Sequence, residues 1–220
     1  FEEALETTKI HSVAGLLSDG DGLLLTRPFR SPHHTATTVS LTGGGAHVRP
    51  GEISLAHNGV LFLDEMPEYS RSTLESLRQP LEDGVITVTR ANGSVRYPAN
   101  FMLCGSMNPC PCGNNGSEDK PCTCTPSQIS RYKARISGPL LDRIDIQVEV
   151  DGVKYTELTS EERGETSEVV RARVNRVREI QKNRFEKDDI LTNSDMGEKQ
   201  LVKYCKLSRE CEEVLHSAYD

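Results

Sequence analysis

The sequence has no tryptophan, and aromatic residues make up only 5 % of its 220 positions. Hydrophobic residues reach 35 %, which is lean for a globular protein but above the composition of a disordered chain. Long apolar runs are also missing. Val60-Leu61-Phe62-Leu63 is among the longest, whereas a membrane span needs about 20 apolar residues. No cationic stretch followed by an apolar core marks a secretory leader. These absences predict a cytoplasmic chain with no membrane partner. Excess positive charge is absent too: 26 Lys plus Arg face 33 Asp plus Glu, a net charge of −7. That balance argues against a surface dominated by nonspecific nucleic-acid binding, and leaves room for a local basic patch. The first residue is Phe rather than Met, so the expectation is a piece of a longer protein. The length fits one domain, or one domain plus a small partner.

Evenly stapled cysteines are missing as well. Of the seven, Cys110, Cys112, Cys122 and Cys124 crowd one loop, while Cys104, Cys205 and Cys211 are scattered and read as ordinary core or helix residues. An odd, clustered set fits a metal site in a reducing compartment better than a secreted disulfide framework.

What is present falls into two regions with a boundary near 151. Before it, Gly59 to Leu63 and Phe101 to Cys104 read as short buried strands. Ser70 to Glu82 has helical spacing, with Ser70 as N-cap and Gly84 as the terminating glycine. Residues 85–98 read as a hairpin around Asn92-Gly93, a strong turn signal. With those two as the turn, Arg90 would oppose Val95 and Thr89 would oppose Arg96. Ile144 to Val150 alternates apolar and polar, as an edge strand does. After Gly152, Thr166 to Lys187 reads as an amphipathic helix with Val170, Val174, Val177 and Ile180 on one side, and Lys199 to Tyr219 reads as helical. The fold class predicted is α/β with a parallel sheet, followed by a helical part.

Asp64-Glu65 ends the first apolar strand and Asn108 follows the second. In a parallel α/β sheet both would reach the carboxyl edge, where ligands bind. This is the chemistry that phosphoryl transfer from a nucleotide requires. Asp64 can hold Mg²⁺, Glu65 can act as base toward the attacking water, and Asn108 can hydrogen-bond that water or the terminal phosphate. The bland reading is a buried strand ending in solvated carboxylates. The phosphate-cradling segment Gly-x-x-x-x-Gly-Lys-Ser/Thr is missing, since the chain contains no Gly-Lys pair. On the sequence alone, ATP binding is therefore expected to be weak or absent, with that loop lying just before Phe1.

Cys110-Pro111-Cys112 and Cys122-Thr123-Cys124 offer four thiolates, enough to close a tetrahedral Zn²⁺ site. The alternative is four reduced loop thiols. Arg90 and Arg96, near the hairpin tip, are candidates for phosphate contacts with nucleic acid or simply solvate an exposed hairpin. The basic side of the helix after 166 is read mainly as a solvated face. His33-His34 reads as loop packing or an interface.

The order of these segments resembles the Mg-chelatase-like AAA+ ATPases. Residues 50–65 resemble the run into Walker B, Met107-Asn108-Pro109 looks like sensor 1, and residues 137–145 resemble the segment that carries a trans-acting arginine. The stretch from Arg27 to His34 and the Cys110-Pro111-Cys112-Gly113 loop are most similar to the family's bacterial competence branch. The resemblance implies a truncated P-loop NTPase core over 1–151, lacking the phosphate loop, and a partial helical lid over 152–220. It implies ATP and Mg²⁺ as cofactors and a homo-oligomeric ring, a hexamer. Asp64 would be the Mg²⁺ ligand, Glu65, Asn108 and Arg143 would be catalytic, and the hairpin would project into the ring's pore. Arg143 could instead pair with Asp142 or Asp145. The parent would be a motor acting on DNA, by unwinding or branch migration in natural transformation, with the fragment inactive alone. The rivals are a metal-chelatase-type ATPase subunit and a non-catalytic, zinc-stabilised interaction module.

Overall fold

Short apolar segments alternating with capped helices give this chain its sheet. The computed structural model describes residues 1–45, 48–90, 93–117, 120–150 and 164–219. They form two compact units, Phe1–Gly152 and Val153–Asp220.

The first unit is built on a three-stranded parallel sheet of β1 (Phe29–Arg30), β4 (Val60–Leu63) and β7 (Met102–Gly105), in the order β1-β4-β7. β4 is central, pairing Phe29 with Val60 on one side and Leu63 with Gly105 on the other. Leu61 and Leu63 point into the core and are fully buried. Around them pack Leu41, Ile53, Met66, Tyr69, Leu74, Leu77, Ile86, Tyr97 and Leu140. After α2 (Thr38–Thr42), a small antiparallel ladder, β2 (Gly43–Gly44) with β3 (Arg49–Pro50), precedes α3 (Glu52–Leu55). Close approach fixes this corner: a Cβ on Gly51 would stand 2.3 Å from both the Leu41 carbonyl and the Gly43 nitrogen.

Helix α1 (Glu2–Val13) is tied to the core through a buried histidine. His57 Nδ1 accepts from the Asn100 amide at 3.1 Å, so Nε2 carries the proton toward Glu6 Oε2 at 3.2 Å. Ser70 caps α4 (Arg71–Glu75) by accepting from the Thr73 amide, as its sequence position predicts. The expected single helix over 70–82 is interrupted, and α5 (Arg78–Asp83) follows as a separate turn. Pro80 has no N–H to continue one ladder across the junction. Gly84 closes α5 in the left-handed region at φ 65°.

The hairpin of β5 (Val85–Arg90) and β6 (Gly93–Pro98) forms, with a register different from the expected one. Arg90 pairs with Gly93, Thr89 with Ser94 and Thr87 with Arg96. The turn residues Ala91 and Asn92 lie outside the described residues. Two further expectations are corrected. β7 is an edge strand among the described residues, with Met102 67 % exposed, rather than a buried one. Residues 144–150 form no strand, and Ile146, Val148 and Val150 face solvent. Alternation favours a strand only where a ladder partner exists, and the described residues supply none there. Helices α6 (Pro126–Lys133) and α7 (Gly138–Leu141) finish the unit.

The second unit contains α8 (Ser167–Arg184), α9 (Glu198–Tyr204) and α10 (Arg209–Tyr219), with a minimal core where the end of α8 meets α9. Phe185, 2 % exposed, meets the Tyr204 ring edge-on at 5.3 Å. Asp188 accepts from the Tyr204 hydroxyl and from Lys203 Nζ. Val174, Val177 and Ile180, the predicted apolar side of α8, remain about half exposed. No helix among the described residues is long and apolar enough to cross a membrane.

Candidate functional site

Parallel pairing brings the ends of β1, β4 and β7 to one rim. Asp64-Glu65 leaves β4, Ser106-Met107-Asn108 leaves β7, and His33-His34 follows β1. Ser106 joins the first two. Its hydroxyl donates to Asp64 Oδ1, its amide donates to the Leu63 carbonyl at 3.0 Å, and its carbonyl accepts from the Met66 amide at 2.9 Å.

Glu65 is held in the left-handed region at φ 52°, ψ 48°. A side chain there costs about 1–2 kcal/mol, and two bonds offset it. The Glu65 amide donates to Asp64 Oδ1 and to Ser106 Oγ, both at 3.1 Å. The twist leaves both carboxylates exposed on one side of the sheet edge. Immediately after it, Arg135 pins the Met66–Glu68 turn by donating to the Pro67 carbonyl and to Glu68 Oε2, each at 2.9 Å.

Nothing in the sequence assigns His34 or Ser106 a place beside the acidic doublet. His34 Nδ1 lies 3.5 Å from Glu65 Oε2, and its ring packs on His33 at 4.1 Å and edge-on to Tyr69 at 6.5 Å. Packing and a rim role therefore coincide for this pair. The signal that could have found them was position alone, two polar residues just beyond a strand end. Tyr69 donates to the Pro32 carbonyl. Burial, helped by the nearby Asp64 charge, pushes the Tyr69 hydroxyl up to about 12.

Asn108 is exposed on the same rim. Burial pushes the nearby Tyr132 hydroxyl upward, and the adjacent Asn108 backbone works against that shift. Arg143 is not brought to Asp64. It donates to the Pro139 carbonyl at 2.8 Å and pairs with Glu82, not with Asp142 or Asp145. Arg96 is exposed on β6, and Arg90 holds the last ladder position.

Beyond Asn108 the four loop cysteines converge, with their sulfurs all within 4.8 Å of one another. Backbone amides of Asn114 and Thr123 draw the Cys112 thiol down to about 5, whereas burial first and neighbouring sulfurs next push Cys124 up to about 12. The oxygen set of Asp64, Glu65 and Ser106 suits a hard cation such as Mg²⁺, and the sulfur set suits a softer one.

This order of elements matches known proteins. The family model for magnesium chelatase, subunit ChlI, matches residues 1–158, and that for its C-terminal part matches residues 164–220. Competence protein ComM of Haemophilus influenzae is 48 % identical over 184 residues, which cover 83 % of this chain and 35 % of that protein. YifB of Escherichia coli is 43 % identical over 214 residues, 95 % of this chain and 40 % of the relative. Magnesium-chelatase subunit ChlI of Porphyra purpurea is 29 % identical over 119 residues, 54 % of this chain and 27 % of that subunit. This chain thus spans well under half the length of each of these relatives. It belongs to the magnesium chelatase ChlI family, in the branch that includes ComM and YifB.

Proposed function

We propose that this chain is part of an ATP-hydrolysing ring motor of the Mg-chelatase-like family, with its chemistry at the rim of Asp64, Glu65 and Asn108. The observation that carries this reading is the left-handed Glu65. The backbone turns to present a carboxylate beside Asp64 and is locked there by Ser106. A strained, over-determined residue is a hallmark of a site under functional constraint.

On this reading Asp64, with Ser106 on its Oδ1, holds Mg²⁺, which when bound neutralises charge on the phosphates of ATP. Glu65 accepts the proton of the attacking water, and His34 limits the carboxylate's swing. Asn108 donates to the terminal phosphate or orients that water. Arg143, engaged with Glu82 in this chain, acts on the nucleotide of a neighbouring copy, where a guanidinium stabilises charge as it develops. Ring assembly, a hexamer, supplies that neighbour. The full protein acts on DNA, with Arg90 and Arg96 of the hairpin as phosphate contacts. The higher identity to a competence protein than to a chelatase subunit favours DNA over a porphyrin-metallating partner.

The deciding experiment is Glu65→Gln in the complete protein. Loss of a general base should lower ATP turnover by about 10²–10⁴-fold while ATP binding persists. Unaltered turnover would remove Glu65 from the mechanism, and absence of turnover in the complete wild-type protein would favour an interaction module. Stimulation of wild-type turnover by branched DNA, and not by a chelatase partner, separates the two motor readings.

A further inference from the structure

The segment from Ser106 to Thr125 crosses between β7 and α6 with no helix or strand among its described residues. Structureless stretches of this length are rare in compact domains unless something other than local hydrogen bonding orders them. Its apolar content cannot do so, because the fully buried side chain in it is Cys110. The sulfurs take that place. Cys110 Sγ lies 3.4 Å from Cys112 Sγ and 3.7 Å from Cys122 Sγ, and Cys112 Sγ lies 3.6 Å from Cys122 Sγ. All four cysteines are free. A tetrahedral ion with bonds of about 2.3 Å sets its sulfurs about 3.8 Å apart. The loop backbone also turns toward the sulfurs, the Cys124 amide donating to Cys122 Sγ at 3.4 Å. Amides aimed at sulfur are the outer contacts that orient thiolate ligands. Gly113 at φ 79° and Gly116 at φ 87° permit the tight path between the two Cys-x-Cys pairs.

We infer that Cys110, Cys112, Cys122 and Cys124 bind one Zn²⁺, and that this ion fixes the position of Asn108. Each thiol gives up its proton as its sulfur binds, so loading releases protons. The positional consequence follows from connectivity. Ser106 is anchored to β4 through the Leu63 carbonyl and the Met66 amide. Cys110 is anchored by the ion. Met107-Asn108-Pro109 is therefore a three-residue bridge between two fixed points. Its middle residue has its backbone beside the hydroxyl of Tyr132, on the helix that begins one residue after the capping Thr125 beside Cys124. Removing the ion frees one end of the bridge and slackens the other restraint with it. The metal site itself stands apart from the proposed ATPase chemistry; only the importance of Asn108 rests on it.

The test uses the purified 220-residue chain. Elemental analysis should give one zinc per chain, and replacement by Co²⁺ should give the intense visible bands of a tetrahedral tetrathiolate site. Cys112→Ser and Cys124→Ser should each lose the metal while circular dichroism keeps the helical signal. Amide exchange at Asn108 should quicken about tenfold or more when zinc is stripped with a chelator, with the β4–β7 ladder still protected. Substoichiometric zinc with four freely titrating thiols would overturn the site, and stoichiometric iron would overturn the ion's identity. Stoichiometric zinc with Asn108 exchange unchanged on stripping would overturn the positioning role. None of these readings depends on ATPase activity.

Discussion

Glu65 shows how much of this rim is decided one residue at a time. Its φ of 52° is tolerable because the Glu65 amide bonds Asp64 and Ser106 at once. The acidic doublet and Asn108 were legible in the sequence, because four apolar residues followed by a polar one is a local pattern. Ser106 and His34 were not legible. What matters about them is a contact with a residue 42 positions away in one case and 31 in the other. Tyr69 belongs to the same neighbourhood and gives a pH prediction. Burial, then Asp64, lifts its hydroxyl to about 12 from the ordinary 10. Between those values the folded chain keeps a proton that the unfolded chain has lost, so this contribution to stability is complete below about pH 10 and disappears as pH rises toward 12. Alkaline spectrophotometric titration should show a late tyrosinate that Tyr69→Phe removes. If the variant's titration matches the wild type, Tyr69 is not the late group.

Elements reveal where local signals suffice and where they fail. Ser70 and Gly84 sit at helix ends as the side chain of one and the backbone freedom of the other demand. The hairpin was legible in place but not in register: Arg90 pairs with Gly93, two positions from the expected partner, and a two-residue shift leaves Ile86, Val88 and Tyr97 on one face, so alternation could not separate the two registers. Residues 144–150 alternate perfectly yet remain unpaired, since a strand is a property of two segments. Helix α6 offers a clean measurement. Thr125 accepts from the Gln128 amide at 3.3 Å and its own amide donates to Gln128 Oε1 at 2.8 Å, a complete capping box. Thr125→Ala should cost about 1 kcal/mol, seen as a lower urea midpoint with an unchanged slope. An unshifted midpoint would mean that α6 does not unfold with the rest of its unit.

For the whole molecule, the first unit depends on one central strand. Leu63→Ala, at a fully buried position of β4, should cost about 2–5 kcal/mol in urea unfolding followed by circular dichroism, because the cavity adds to the lost transfer energy. Val148→Ala, at a position 74 % exposed, should stay within about 0.5 kcal/mol. Equal effects would contradict the core assignment. By itself, the sequence determined the strands at 60 and 102, the caps, the acidic doublet and the crowding of four cysteines, because each depends on residues within a few positions. Only the tertiary structure decided that β1 joins the parallel sheet expected of β4 and β7 and brings its end to theirs. It alone brought His34 to Glu65, paired Arg143 with Glu82 and gathered four sulfurs within 4.8 Å. Those are distances between remote segments, and they exist only once burial of the shared core has fixed the path of the chain.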